Sequence, residues 1–274
     1  MSKMDGSPMI GLDDKHEKIL KYCKLFLEAN DEFELMRKEL SIIPTFLFWG
    51  LPGTGKTTFA HEIYKELKKT YNIDLYLLNM ESLLSYNFGE SSKNLVEFFE
   101  KIENDISKNN SLAFVLIDEV DFFTLNRHQE NADAIKRVLL TFNKIVDKLL
   151  FDNFINKIII VGTTNLKDSL DVSVLRRFYF HENFDICLKQ ENLIELIERL
   201  SKIVPKYRKT DVEELFEICS EKKYTLGEIK NILAQNYLKS KISNTSIMNI
   251  ETFKKRESSY DILNKQKGII ENGR

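Results

Sequence analysis

The 274-residue chain has few of the residues that staple, break or loosen a fold. It has three cysteines, four prolines, ten glycines and one tryptophan. Cys23, Cys187 and Cys219 are far apart and form no C-x-x-C pair. An odd, scattered set excludes a disulfide scaffold and reads as reduced thiols of a cytoplasmic protein. So little glycine and proline excludes collagen-like and low-complexity chains. No charge sign dominates, with 40 Lys and Arg against 42 Asp and Glu, net −2. The chain as a whole is therefore not built as a polyanion binder. The longest apolar runs, Leu112–Ile117 and Ile158–Val161, fall far short of the roughly 18 residues that span a bilayer. Met1–Pro8 is polar, with no signal-peptide core behind it.

What is present is a core-forming supply, 43% hydrophobic, in a chain long enough to fold without metals or disulfides. Residues 13–40 form a charged helical stretch that Pro44 stops. Beyond it the pattern alternates. Short apolar runs at Thr45–Trp49, Leu75–Asn79, Ala113–Ile117, Lys157–Val161 and Phe178–Phe184 read as strands. Amphipathic stretches at Lys56–Thr70, Ser91–Lys108 and Ala132–Leu150 read as helices. Alternation of this kind implies an α/β fold, a parallel sheet sandwiched by helices. From about residue 185 the strands cease, and Asn192–Ile203, Asp211–Glu221 and Gly227–Ser240 predict a small all-helical lid. The division expected is 1–184 for a nucleotide-binding αβα subdomain, 185–250 for the lid and 251–274 for a polar C-terminal tail with a mobile end.

Two motifs carry chemistry. Gly50-Leu51-Pro52-Gly53-Thr54-Gly55-Lys56-Thr57-Thr58 matches G-x-x-x-x-G-K-[ST] between a predicted strand and a predicted helix. The glycines let the backbone curl around a phosphate, and loop N–H groups and the helix start then face the anion. Lys56 would reach the β- and γ-phosphates, and the Thr57 hydroxyl would hold Mg²⁺. Pro52, Gly53, Thr54, Gly55 and Thr58 complete the cradle. The second motif, Phe114-Val115-Leu116-Ile117-Asp118-Glu119, is an apolar strand ending in two acids at the carboxyl edge of the sheet. Asp118 would bind Mg²⁺, and Glu119 would activate the attacking water. Together they imply ATP or GTP hydrolysis.

Further fragments narrow the family. In order and spacing, over residues 9–240, the chain resembles the AAA+ ATPases, and in particular the AAA subgroup of proteasomal, Vps4-like and katanin-like ATPases. Ile10-Gly11-Leu12-Asp13 resembles the segment that opens the module and packs on adenine. Gly162-Thr163-Thr164-Asn165 resembles sensor 1, which implies that Asn165 contacts the γ-phosphate or the attacking water. Asp171–Phe178 resembles the segment supplying arginine fingers to a neighbouring subunit. Relatives separate two arginines by Pro-Gly. Here Arg176 and Arg177 are adjacent, which leaves open which is the finger; a basic turn capping the preceding helix is the bland alternative. Arg127 matches an interface position. Ser85–Ser91 resembles the central-pore loop, but Asn87 stands where an aromatic is usual, flanked by Tyr86 and Phe88. Those two rings either grip a threaded polypeptide or pack into the core. Thr225–Ile229 resembles the start of the last lid helices. Gly227 stands at the sensor-2 position, with Lys230 one turn on, and the D-G-F element before sensor 1 is missing.

The resemblance implies ATP and Mg²⁺ as cofactors, with the nucleotide between sheet and lid. It also implies a homo-oligomer in the form of a ring, such as a hexamer, because a finger in trans needs a neighbour. With the module starting near residue 9, a separate adaptor or effector protein is expected to bring the target. The function expected is ATP-driven remodelling or unfolding of a protein partner. A nucleic-acid-linked ATPase of loader type and a nucleotide-switched scaffold are the alternatives. Residues 222–274 hold eleven Lys and Arg against five Asp and Glu, which makes nucleic acid a possible but less favoured partner than protein. His61, His128 and His181 have no companions at metal-ligand spacing.

Overall fold

The computed structural model describes residues 10–80, 90–121, 132–151, 154–185, 189–200, 209–243 and 250–272. The chain divides into two compact units. One takes Asp14–Gly50 and Lys56–Asn183; the other takes Met1–Asp13, Leu51–Gly55 and Phe184–Arg274.

The first unit is a five-stranded parallel sheet in the order β2-β3-β4-β1-β5. Its strands are β1 (Thr45–Trp49), β2 (Ile73–Asn79), β3 (Leu112–Asp118), β4 (Ile158–Thr164) and β5 (Phe180–Asn183). β1, β3 and β4 are buried almost throughout, as expected for strands covered on both faces. On one face Leu47, Val115, Ile117 and Ile160 pack with Leu95, Phe99 and Ile102 of α4 (Glu90–Asn109) and Phe142 and Val146 of α5 (Ala132–Phe151). On the other, Phe48 meets Phe59 of α3 (Lys56–Lys68) edge to face at 5.4 Å, and Phe46 stacks on Phe180 at 4.8 Å. Tyr22 of α1 (Asp13–Leu27) stacks on that same Phe180, and Lys15 and Lys18 of α1 pair with the buried Glu182 of β5.

The stretch read as one helical region over 13–40 is two helices. Asn30 accepts a bond from Phe33 N at 2.8 Å and opens α2 (Asp31–Glu39), whose first turn is rich in acids. The turn carrying Arg176 and Arg177 follows α6 (Val172–Leu175), which Asp171 caps. It is closed by His181, whose ring nitrogen donates to the carbonyls of Leu175 and Phe178.

The second unit contains α7 (Gln190–Leu200), α8 (Lys209–Glu221), α9 (Leu226–Ser243), α10 (Glu251–Lys255) and α11 (Ser259–Asn272). Its core joins Ile10, Leu193, Leu196, Leu215, Cys219, Ile229, Leu233 and Phe253. Two expectations change here. Residues 10–13 and 51–55 group with the helices and not with the sheet. The segment expected as a polar tail, 251–274, forms α10 and α11 over most of its length. Phe253 is fully buried, and Tyr224 donates its hydroxyl to the Phe253 carbonyl at 2.9 Å. Lys222 Nζ donates to the carbonyls of Lys254 and Arg256 at 2.6 and 2.8 Å, supplying cationic donors where α10 ends. Ser258 and Asp261 then cap each other reciprocally at the start of α11.

Candidate functional site

The parallel register sets the site. Asn79 lies opposite Asp118, Ile117 opposite Gly162, and Trp49 opposite both Thr164 and Asn183. The strands therefore end along one carboxyl edge, and both sequence motifs emerge from it. The half-buried Trp49 is the last residue of β1, and Lys167 Nζ stands 4.4 Å from its ring centroid.

After Trp49 the chain enters the glycine-rich loop. Gly50 N donates to Thr164 O at 3.3 Å, tying the loop's start to β4. Leu51 N donates to the Asp185 carboxylate at 2.6 Å, and Thr54 Oγ1 donates to Leu51 O at 2.9 Å. Gly53 and Gly55 have φ of +78° and +91°, a region that L side chains rarely adopt. A Cβ at Gly55 would meet nothing within 4 Å, so the loop borders open space at that position. Lys56 begins α3, is largely buried, and donates from Nζ to Gly50 O at 2.8 Å.

Thr57 follows, and its hydroxyl donates to Asp118 Oδ1 at 3.0 Å. The same carboxylate oxygen receives the hydroxyl of Thr163 on β4. Thr163 also accepts from Glu119 N at 3.3 Å on its hydroxyl and from Val120 N at 2.8 Å on its carbonyl. β4 thus brackets residues 118–120, and Glu119 is held at φ +56°. A non-glycine residue in that region stores about 1 kcal/mol or more of strain. Asn165 is the first residue beyond β4, half-buried.

These residues suit the groups expected of them. An open, glycine-lined loop followed by a lysine fits a polyphosphate. Thr57 and Asp118 offer hard oxygen donors, which suit Mg²⁺ when phosphate and water oxygens complete its shell. Among the described residues, no cluster of three or more His, Cys, Asp or Glu side chains could hold a metal alone.

The two arginines stand apart chemically. Arg177 is half-buried, and its Nη2 donates to Asp147 of α5 at 2.6 Å. Arg176 is exposed. In the helical unit, Ile10 is buried in the core and Gly11 (φ +74°) lies against Asn192. Burial and the nearby charge of Arg199 hold Lys230 below the ordinary lysine pKa. Tyr86, Phe88, Arg127, His128 and Cys187 lie outside the described residues.

The motifs assign no role of their own to three polar residues, Thr163 in the sheet unit and Asp185 and Glu228 in the helical unit, although Thr163 lies within Gly162–Asn165 and Glu228 within Thr225–Ile229. Glu228 accepts Thr225 N at 2.8 Å, while Glu228 N donates to Thr225 Oγ1 at 3.3 Å. The signal was in the sequence, since Thr225-x-x-Glu228 is the capping-box pattern. No local pattern gives the contacts of Thr163 or Asp185, which act across strands or across a long separation in the chain.

Known proteins share the family and the fold of this chain. Residues 46–186, just over half of the chain, match the family described as "ATPase family associated with various cellular activities (AAA)". A cell division cycle protein 48 homolog of Archaeoglobus fulgidus is 27% identical over 64% of this chain and 22% of its own length. The human pachytene checkpoint protein 2 homolog is 33% identical over 48% of this chain and 32% of its own. The chain thus spans between a fifth and a third of the length of these curated relatives. Among solved structures, a chain of the E. coli MS115-1 HORMA:CdnC:Trip13 complex shares the fold with a TM-score of 0.73. It is 18% identical, over 89% of this chain and 86% of that one. The FIGL-1 AAA domain in complex with ADP has a TM-score of 0.66 at 15% identity, over 92% and 83% of the two chains. No helix among the described residues is long and apolar enough to cross a membrane. With the phosphate loop, the acid-ended strand and the parallel sheet all in place, the chain belongs to the AAA family of ATPases.

Proposed function

We propose that this chain binds Mg-ATP on the Gly50–Thr58 loop, assembles with copies of itself, and couples hydrolysis to remodelling of a protein partner. The observation that carries the reading is the 3.0 Å contact between the Thr57 hydroxyl and the Asp118 carboxylate, which joins the two motifs at one sheet edge.

In this mechanism Lys56 exchanges the Gly50 carbonyl for phosphate oxygens, and the loop N–H groups hold the rest of the triphosphate. Thr57 and Asp118 hold Mg²⁺, which when bound neutralises charge on the phosphate oxygens. Glu119 accepts a proton from water as the water oxygen bonds to the γ-phosphorus. The bond to the β–γ bridging oxygen breaks, and its electron pair leaves with ADP. Asn165 orients the water. An arginine of a neighbouring copy stabilises charge on the transferring phosphoryl group, an effect worth on the order of 10³-fold or more in rate. Arg176, which is exposed, suits that reach; Arg177 suits an anchoring role through Asp147.

A separate adaptor or effector protein belongs to this reading, and one fold relative was solved as a HORMA:CdnC:Trip13 complex. Light scattering of Glu119→Gln with and without ATP tests the assembly. An ATP-dependent rise to a ring mass is expected, and a monomer at every concentration would remove the neighbour's arginine from the mechanism. ATPase stimulation by unfolded protein and not by DNA is expected; the converse would favour a nucleic-acid role.

A further inference from the structure

We propose that the first turn of α9 positions the phosphate loop, with Gly227 as the contact and Glu228 as its brace. The proposal deepens the function proposed above and rests on nucleotide binding at that loop.

A helix start carries backbone donors that have no partner within the helix. In α9 the reciprocal cap between Thr225 and Glu228 accounts for two of them, Thr225 N and Glu228 N. Between them Gly227 N donates to Gly53 O at 3.1 Å. In a trans peptide the N–H points opposite to the preceding C=O. Holding the Gly53 carbonyl toward α9 therefore directs the Thr54 N–H away from it. The Thr225 hydroxyl adds to the hold, since its single proton faces both Glu228 Oε2 at 3.0 Å and Pro52 O at 3.3 Å.

Glycine is required at 227 for space. Gly227 is not among the residues with positive φ, but a Cβ there would lie 2.4 Å from Gly53 O and 3.0 Å from Gly53 Cα. Backbone meets backbone, so no side chain can swing aside. The brace extends further. Glu228 is largely buried, and its second oxygen accepts Ser259 N at 2.6 Å and Ser259 Oγ at 2.9 Å. The start of α11 is thus linked through one carboxylate to the turn that holds the phosphate loop.

The test is ADP affinity by isothermal titration calorimetry, alongside the melting temperature without nucleotide. Gly227→Ala gains helix propensity but forces the Gly53 backbone to yield to the new Cβ, so melting of the nucleotide-free protein is expected to fall by no more than a few degrees. ADP affinity is expected to fall about tenfold, the scale of one or two displaced phosphate hydrogen bonds. Thr225→Val is expected to weaken ADP binding and Thr225→Ser to restore it. Glu228→Gln, which replaces one acceptor oxygen by a donor, is expected to weaken it as well. Wild-type affinity in Gly227→Ala would overturn the proposal and leave the nucleotide site standing. No ADP binding by the wild type would instead overturn the nucleotide site itself. Were Gly227→Ala not to fold, equal affinities for Thr225→Val and Thr225→Ser would still sink the proposal.

Discussion

Arg177 and Asp147 form an ion pair at 2.6 Å across the turn after α6 and the face of α5, while the adjacent Arg176 is exposed. Two arginines that are equivalent in the sequence are therefore not equivalent in the fold. Arg176→Ala is expected to keep ATP affinity and lose at least about 10³-fold in turnover of the assembled protein. Arg177→Ala is expected to cost about 1 kcal/mol or less in urea unfolding, since its pair is partly solvated. If Arg177→Ala alone abolished turnover with stability unchanged, the assignment would be reversed.

Lys56 and Glu119 separate binding from chemistry. Lys56→Ala is expected to remove measurable ATP binding. Glu119→Gln is expected to bind ATP normally and slow hydrolysis by about 10²- to 10⁴-fold, the range for loss of a general base. Filter binding and phosphate release measure the two effects. Equal turnover in Glu119→Gln would remove that residue from the proton transfer.

Gly162 leaves room for a ring. A Cβ there would sit 2.6 Å from Phe178 Cζ and 3.0 Å from Val120 Cγ2. Gly162→Ala is expected to destabilise the sheet unit by about 1–3 kcal/mol, the usual cost of overpacking. Adding Phe178→Leu is expected to recover part of the loss in a denaturant titration. Additive effects would mean that the two residues do not compete for that space.

Alkaline pH tests the buried acids of the helical unit. Burial pushes the Cys219 thiol and the Tyr224 hydroxyl up to about 12 from 9.0 and 10.0 respectively. Both stay protonated in the native state while the unfolded chain ionises, so the native state binds more protons and stability falls as pH rises. The decline is expected to begin near pH 9 and to continue toward 12, approaching roughly 1.4 kcal/mol per pH unit for each group. A flat stability profile between pH 8 and 11 would contradict it. Cys23 is also buried and shifted upward. Alkylation of the native protein at pH 8 should therefore leave Cys23 and Cys219 unmodified, as read by mass spectrometry.

Much of the sheet was legible because its strands are apolar runs with sharp ends. The apolar run Thr45–Trp49 coincides with β1 to the residue, bounded by Pro44 and Gly50. β2 begins two residues earlier than its reading, because Asp74 interrupts the hydrophobic pattern while pairing in register with Ala113. The break at Asn30 was hidden by the helical composition on either side, although a cap followed by acids marks it. The C-terminal helices are hidden in the sequence for a different reason. Among their described side chains the fully buried ring is Phe253, and composition averages a single ring away among lysines and serines. The two site motifs were legible because phosphate and metal chemistry demand particular residues at fixed spacing. The Thr163 and Ser259 contacts were not, because they depend on which strand or helix lies alongside.

Trp49 is the only indole in the chain and is bonded directly to Gly50, under the ammonium of Lys167. The protein therefore carries its own optical probe at the mouth of the loop. Any movement of Gly50 on ligand addition should alter the water and charge around that ring. Emission at a single wavelength can then follow nucleotide arrival and departure in real time, without a dye or a labelled ligand.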